Sequence, residues 1–284
     1  LRHPHLVDQS LYWAGKSAAR LKLKQRAQTY FVKAADGFPR SYYSSRALSL
    51  GYSNPTKVKP RLQLRARPED TAGIARIDFL QRADLLHELG LSQLAVAELR
   101  EVERINQKNM AAMRVVRDRY ESFGLLDRAL VMATRIANTD SSESTLAHLY
   151  PDYYWKEVVK ASREADLDPY LILAVIRQES FFNEGAVSRA GARGLMQIMP
   201  QTGRRLARSM GLRRFESRSL FDPSVSIRMG SRFLGDQVRA FDGPTSGMGF
   251  QLGLAAYNAG PHVARQWINR FPLEDPDAFV ERIP

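Results

Sequence analysis

Residues 168–182 read Asp168-Pro169-Tyr170-Leu171-Ile172-Leu173-Ala174-Val175-Ile176-Arg177-Gln178-Glu179-Ser180-Phe181-Phe182. An aspartate followed by proline is a helix start: the carboxylate accepts hydrogen bonds from free backbone N–H groups, and proline suits the first helical position. The spacing predicts a helix over 169–182. Its apolar stripe runs through Ile172, Val175 and Ile176 to Phe182, because residues three and four apart share a face. Position 179 belongs to that stripe and is a glutamate. A carboxylate among apolar neighbours loses water, so its pKa rises and it holds its proton unless a cation pairs with it. Two readings follow. Glu179 is a general acid, or it is a structural glutamate paired with an arginine such as Arg177 or Arg189.

Glycine punctuates the next segment, 183–200. Gly185, Gly191 and Gly194 permit close backbone approach, and Asn183, Ser188 and Gln197 offer neutral hydrogen bonds of the kind that recognise sugar hydroxyls and amides. Further helices are expected near 201–210, 223–241, 248–258 and 261–270. Asp222-Pro223 starts one of them, and Gly260-Pro261 ends one and opens the next.

Toward the N-terminus, residues 8–140 are poor in proline and glycine, and their apolar residues recur at helical spacing. Leu89-Gly90-Leu91 with Ala95 is echoed by Phe123-Gly124-Leu125 with Ala129, 34 residues on. That is the tetratricopeptide period, in which the glycine makes the turn and the alanine lets two helices meet. Residues 11–35 form a degenerate unit with Lys22 in the glycine's place. Residues 51–70 carry Pro55, Pro60 and Pro68 among Lys57, Lys59, Arg61, Arg65 and Arg67, which predicts a basic connecting loop. The polar run 139–145 separates the repeats from the C-terminal part, placing a domain boundary at 149/150.

Composition narrows the function classes. The chain has 284 residues, 44% apolar, enough to fill real cores, and 25% charged. Its longest apolar run, Tyr170 to Ile176, is too short to cross a membrane, so a protein not integral to a membrane is expected, and no targeting segment is visible. The absence of cysteine excludes disulfides, thiolate catalysis and Cys-based metal sites. His3, His5, His87, His148 and His262 are scattered, and neither an HExxH motif nor a nucleotide-binding glycine loop occurs, so no metal and no cofactor are expected. Residues 1–67 hold 14 Lys/Arg against Asp8 and Asp36, and therefore carry the whole net charge of +12. Such an arm attracts polyanions through its field. No aromatic-basic alternation of a recognised nucleic-acid motif accompanies it, so no nucleic-acid partner is expected.

Several blocks now fit one family. Leu173 to Asn183, Ala186-Val187-Ser188, Gly191-Ala192, Gly194-Leu195-Met196-Gln197-Ile198-Met199-Pro200 and Ala255-Ala256-Tyr257-Asn258-Ala259-Gly260-Pro261 closely resemble the catalytic domain of the soluble lytic transglycosylases that cut bacterial peptidoglycan. The resemblance is strong from about 150 to 271 and fainter before, where Tyr12-Trp13 and Tyr42-Tyr43 resemble the family's helical superhelix. It implies an all-α chain: a tetratricopeptide-like superhelix over 1–149, then a lysozyme-like, mainly helical catalytic domain over 150–284. It further implies that Glu179 is the lone catalytic acid. Gln197, Met199, Tyr257 and Asn258 would bind the sugar, and Ser188 would sit near its N-acetyl group. The substrate implied is the glycan strand of peptidoglycan, the compartment the periplasm, and other cell-wall enzymes possible partners.

Glu184 and Gln201 stand where the family usually has proline and a small residue. The family's second glutamate follows an Ile-Pro, and by this resemblance it would lie beyond Arg282-Ile283-Pro284. The alternative is a non-catalytic helical-repeat protein that binds peptidoglycan or a partner, which a solvated Glu179 on a shallow surface would favour.

Overall fold

A computed structural model describes residues 4–37, 41–52, 73–140, 147–212, 214–242, 248–271 and 275–284. Among them every regular element is helical, and strand-like pairing is confined to isolated antiparallel bridges of Arg193 with Val187 and Ile198. Two compact units emerge, Leu1–Gln63 and Leu64–Pro284.

The first unit holds α1 (Pro4–Arg20), α2 (Lys24–Gly37) and α3 (Tyr42–Ser49). Its core gathers Tyr12, Phe31, Ala34 and Ala47. Gly15 is small for a reason: a Cβ there would meet the Phe31 ring at 2.8 Å. Lys22 takes the left-handed conformation (φ 59) that the repeat pattern assigns to glycine. Across that turn the Leu23 N–H donates to the Ala18 carbonyl at 2.9 Å.

In the second unit, α4 (Ile77–Glu88) and α5 (Ser92–Ile105) form one hairpin, and α6 (Met110–Ser122) and α7 (Leu126–Ala137) the next. Both helix ends at Gly90 and Gly124 use left-handed glycines (φ 73 and 74). The Leu91 N–H donates to the Leu86 carbonyl and the Leu125 N–H to the Tyr120 carbonyl, each at 2.8 Å, which is the bond that closes a Schellman turn. Lys22 makes the same bond pattern without glycine, so the degenerate third unit is a real turn of the same kind. Ala95 and Ala129 are buried at the helix contacts, as their size requires.

Helices α8 (Trp155–Ala165), α9 (Pro169–Ser180), α10 (Pro200–Ser209), α11 (Pro223–Asp242), α12 (Gly249–Ala259), α13 (Pro261–Arg270) and α14 (Pro276–Val280) follow, with a 3-10 turn at Ser217–Phe221. The Tyr170 N–H donates to the Asp168 carboxylate at 2.7 Å and the Val225 N–H to Asp222 at 3.0 Å, so both Asp-Pro starts act as caps. Val158, Ile172, Ile176, Phe182, Met196, Ile227 and Leu234 share one core, to which Leu130 of α7 also belongs.

One expectation changes. The spacing puts Phe182 on the helix, but α9 stops at Ser180, and Phe181 and Phe182 are both left-handed (φ 52 and 63). Phe182 still reaches the core, 2% exposed. The chain turns to bury it instead of continuing the helix. The basic loop with Lys57, Lys59, Arg61, Arg65 and Arg67 and the boundary residues 141–145 lie outside the described residues. Among the described residues no helix is long and apolar enough to cross a membrane.

Candidate active site

Glu179 occupies the last turn of α9 and is half-buried. Burial pushes its carboxyl above the usual carboxylate range. Neither arginine considered from sequence pairs with it. The Arg177 Nε donates to the Leu149 carbonyl at 2.8 Å, with its guanidinium over the Tyr150 and Phe181 rings, and Arg189 is exposed. Of the two readings left open, the ion-paired glutamate is not the arrangement formed.

The glycine-punctuated loop docks on the end of α9. The Ser180 hydroxyl donates to the Leu195 carbonyl at 2.8 Å, and the Met196 N–H donates to the Ser226 hydroxyl of α11 at 3.2 Å. Gly194 lies so close to the 3-10 turn Ser217–Phe221 that a Cβ would fall 1.8 Å from the Leu220 carbonyl oxygen. Gly230 does the same for Met196, whose sulfur would meet a Cβ at 2.4 Å. These glycines serve packing.

A cleft of about 480 Å³ opens beside this loop, and Gln197, Met199, Arg205, Phe233, Tyr257 and Asn258 are among the residues that line it. Four expected sugar-binding residues, Gln197, Met199, Tyr257 and Asn258, therefore meet in one place. No aspartate or glutamate is among the described lining residues. Tyr257 links the cleft to Glu179: its hydroxyl donates to the Met196 carbonyl at 2.6 Å, and burial, then the Glu179 charge, push its pKa well up. The phenol thus stays protonated and neutral at the cleft floor. Gln197 is left-handed (φ 48), and its amide nitrogen donates to the carbonyls of Gly194 at 2.9 Å and Ala186 at 3.2 Å. Both amide hydrogens are then used, so toward a ligand this side chain acts through its carbonyl as an acceptor.

Other neutral groups of the loop are spent locally. The Ser188 hydroxyl accepts from the Ala192 N–H at 3.0 Å, closing the 188–192 turn, and Ser188 is exposed and not among the described lining residues. Asn183 accepts from the Gly185 N–H at 2.9 Å and donates to Asp127 of α7 at 3.1 Å. Glu184 accepts from the Tyr154 hydroxyl at 2.5 Å. Gln201, known from the sequence only as a departure from the family pattern, also lines the cleft, with Arg205 and Arg208, which were not among the expected site residues. Their spacing of four and three residues along α10, opened by Pro200, carried that signal.

Removing the Tyr257 hydroxyl should leave the buried Met196 carbonyl without that donor. Tyr257→Phe is therefore expected to cost about 1–3 kcal/mol of unfolding free energy, read from urea unfolding followed by circular dichroism. A midpoint unchanged from wild type would mean that water replaces the phenol there.

Residues 157–279 match the family described as the transglycosylase SLT domain. The soluble lytic murein transglycosylase of Salmonella typhimurium is 33% identical over 141 residues, covering 49% of this chain and 21% of its own length. Membrane-bound lytic murein transglycosylase C of Actinobacillus succinogenes is 35% identical over 133 residues, covering 45% of this chain and 36% of its own. Among solved structures, the 70 kDa soluble lytic transglycosylase of Escherichia coli superposes with a TM-score of 0.76 at 23% identity, covering 98% of this chain and 42% of that one. The all-α fold expected from sequence, helical hairpins followed by a lysozyme-like domain, is thus the fold found. This chain spans only a part of each of these relatives.

Proposed function

We infer that this chain, which carries a transglycosylase SLT domain over residues 157–279, is a lytic transglycosylase acting on the glycan strands of peptidoglycan. Residues 150–284 are read as its catalytic domain and 1–149 as its helical repeats. One observation supports the chemistry above all: a half-buried carboxyl with a raised pKa and no ion-pair partner among the described residues, Glu179, neighbours a cleft without a second carboxylate among its described lining. Two-carboxylate glycosidases need the second group as nucleophile or to activate water. With one acid, the nucleophile must come from the substrate.

Glu179, protonated at rest, gives its proton to the glycosidic oxygen between N-acetylmuramic acid and N-acetylglucosamine as the C1–O bond breaks. The resulting carboxylate takes the proton of the muramoyl C6 hydroxyl, and O6 attacks C1. A 1,6-anhydro ring closes, Glu179 regains its proton and no water is consumed. The neutral acceptor of Gln197, the exposed amide of Asn258 and the thioether of Met199 would hold the sugars, and the Tyr257 phenol would hold the floor that faces the acetamido group. The family resemblance would put Ser188 near that group as well, although its hydroxyl accepts from its own turn and it is not among the described lining residues of the cleft. The polymer's location would place the protein in the periplasm.

Products from purified sacculi should end in 1,6-anhydromuramic acid. Digestion in 18O-labelled water followed by mass spectrometry checks this. Unlabelled anhydro ends are expected, and reducing ends carrying the heavy oxygen would identify a hydrolase.

A further inference from the structure

Away from that cleft, the helical hairpins enclose an open slot of about 700 Å³, lined along α5 and its C-terminal end by Arg100, Glu103, Arg104 and Gln107, along α6 by Met110 and Met113, and along α7 by Arg128 and Arg135. The spacing explains the convergence. Arg128 and Arg135 are seven apart on α7, and Arg100, Arg104 and Gln107 follow the four-and-three rhythm of one helix face. Four guanidinium groups thus face a space in which Glu103 is the lone acid among the described lining residues. Glu103 is already engaged by Arg135 and, at 3.4 Å, by the Tyr120 hydroxyl, and Arg104 pairs with Glu101 at 2.5 Å. Among the described residues Arg100 and Arg128 have no ion-pair partner. Half-buried Arg128 lies 5.9 Å from the Tyr120 ring centroid. Nothing in the transglycosylase chemistry uses these groups.

We propose that this slot binds a short peptide bearing carboxylates, with Arg100 and Arg128 as its carboxylate receptors. Guanidinium forks match carboxylates in two-point hydrogen bonds. Gln107 supplies the neutral donors and acceptors that peptide groups need, and the Met110 and Met113 floor suits small aliphatic side chains. For the source of the peptide the inference rests on the transglycosylase reading: the polymer's own stem peptides carry free carboxylates and alanine side chains.

The test is calorimetric titration of the free stem tetrapeptide, L-alanyl-γ-D-glutamyl-diaminopimelyl-D-alanine, into the full chain. Saturable 1:1 binding is expected, weakened at least about tenfold by Arg100→Ala/Arg128→Ala and by amidation of the peptide carboxylates. If the alanine variant does not fold, Arg100→Lys/Arg128→Lys is read instead, with a smaller but measurable weakening because the two-point geometry is lost. No binding at millimolar peptide, or binding indifferent to both the substitutions and amidation, overturns the site. An all-L, glutamate-rich peptide binding more tightly than the stem peptide also overturns it, in favour of an acidic protein partner. Binding by a chain that shows no lytic activity counts against the activity and leaves the site standing.

Discussion

Glu179→Gln is expected to lower the rate of sacculus solubilisation by a factor of about 10² to 10⁴, the usual worth of a positioned general acid. The amide keeps the shape and loses the transferable proton. Folding should survive, and the sign of the pH effect says why. Burial raises the carboxyl's pKa in the folded state, so the folded chain holds this proton more tightly than the unfolded chain does. The stability tied to it is fully present below the unfolded pKa and is lost as pH rises through the folded one. Glutamine has nothing to lose in that window. Thermal unfolding of wild type and variant should therefore converge at low pH and diverge, in the variant's favour, above it. The wild-type rate should fall on the same alkaline side as Glu179 loses its proton. Cleavage by the variant above a few per cent of wild type would remove Glu179 as the acid.

Gly194→Ala should be the most damaging small substitution in the glycine-punctuated loop. At φ 75 an L-residue costs about 1–2 kcal/mol from the backbone alone. The new methyl would also lie 1.8 Å from the Leu220 carbonyl oxygen and 2.9 Å from the Ser226 hydroxyl. Leu220 is fully buried, and its backbone cannot retreat as a flexible side chain can. A loss above about 4 kcal/mol is expected, in the range that marks a packing clash. Gly191 is the control: it is equally left-handed (φ 87), with nothing within 4 Å of its would-be Cβ. Alanine there should cost only about 1–2 kcal/mol. Chemical denaturation of both variants separates the contributions, and equal losses would show that the Leu220 contact yields.

Local chemistry was legible in the chain. Asp168-Pro169, Asp222-Pro223 and Gly260-Pro261 mark helix ends through hydrogen bonds to near neighbours, so their positions survive folding unchanged. The stripe that exposes Glu179 as an anomaly is also local. Partnerships across sequence distance were not legible. Asn183 meets Asp127 across 56 residues, and Tyr257 meets Met196 across 61. Nothing in the loop composition shows that Asn183 spends its amide on Asp127 and the Gly185 N–H, or that Ser188 uses its oxygen to close its own turn. Phe182 illustrates the limit most clearly: its helical spacing correctly marks it as buried, while the helix it seems to extend has already ended.

Phe181 and Phe182, which directly follow the end of the helix that carries Glu179, and Gln197, which lines the cleft, are all left-handed non-glycine residues. Each holds a backbone shape that costs about 1–2 kcal/mol without glycine's freedom. Glycine at position 197 would relieve that backbone without displacing a core side chain, but it would also delete the two hydrogen bonds that the Gln197 amide gives to the Gly194 and Ala186 carbonyls. The same exchange deletes the acceptor that faces the cleft. The strained shape at position 197 is thus held in place twice, by the loop it ties and by the cleft it faces, and a screen for thermal tolerance and a screen for turnover would both keep glutamine there.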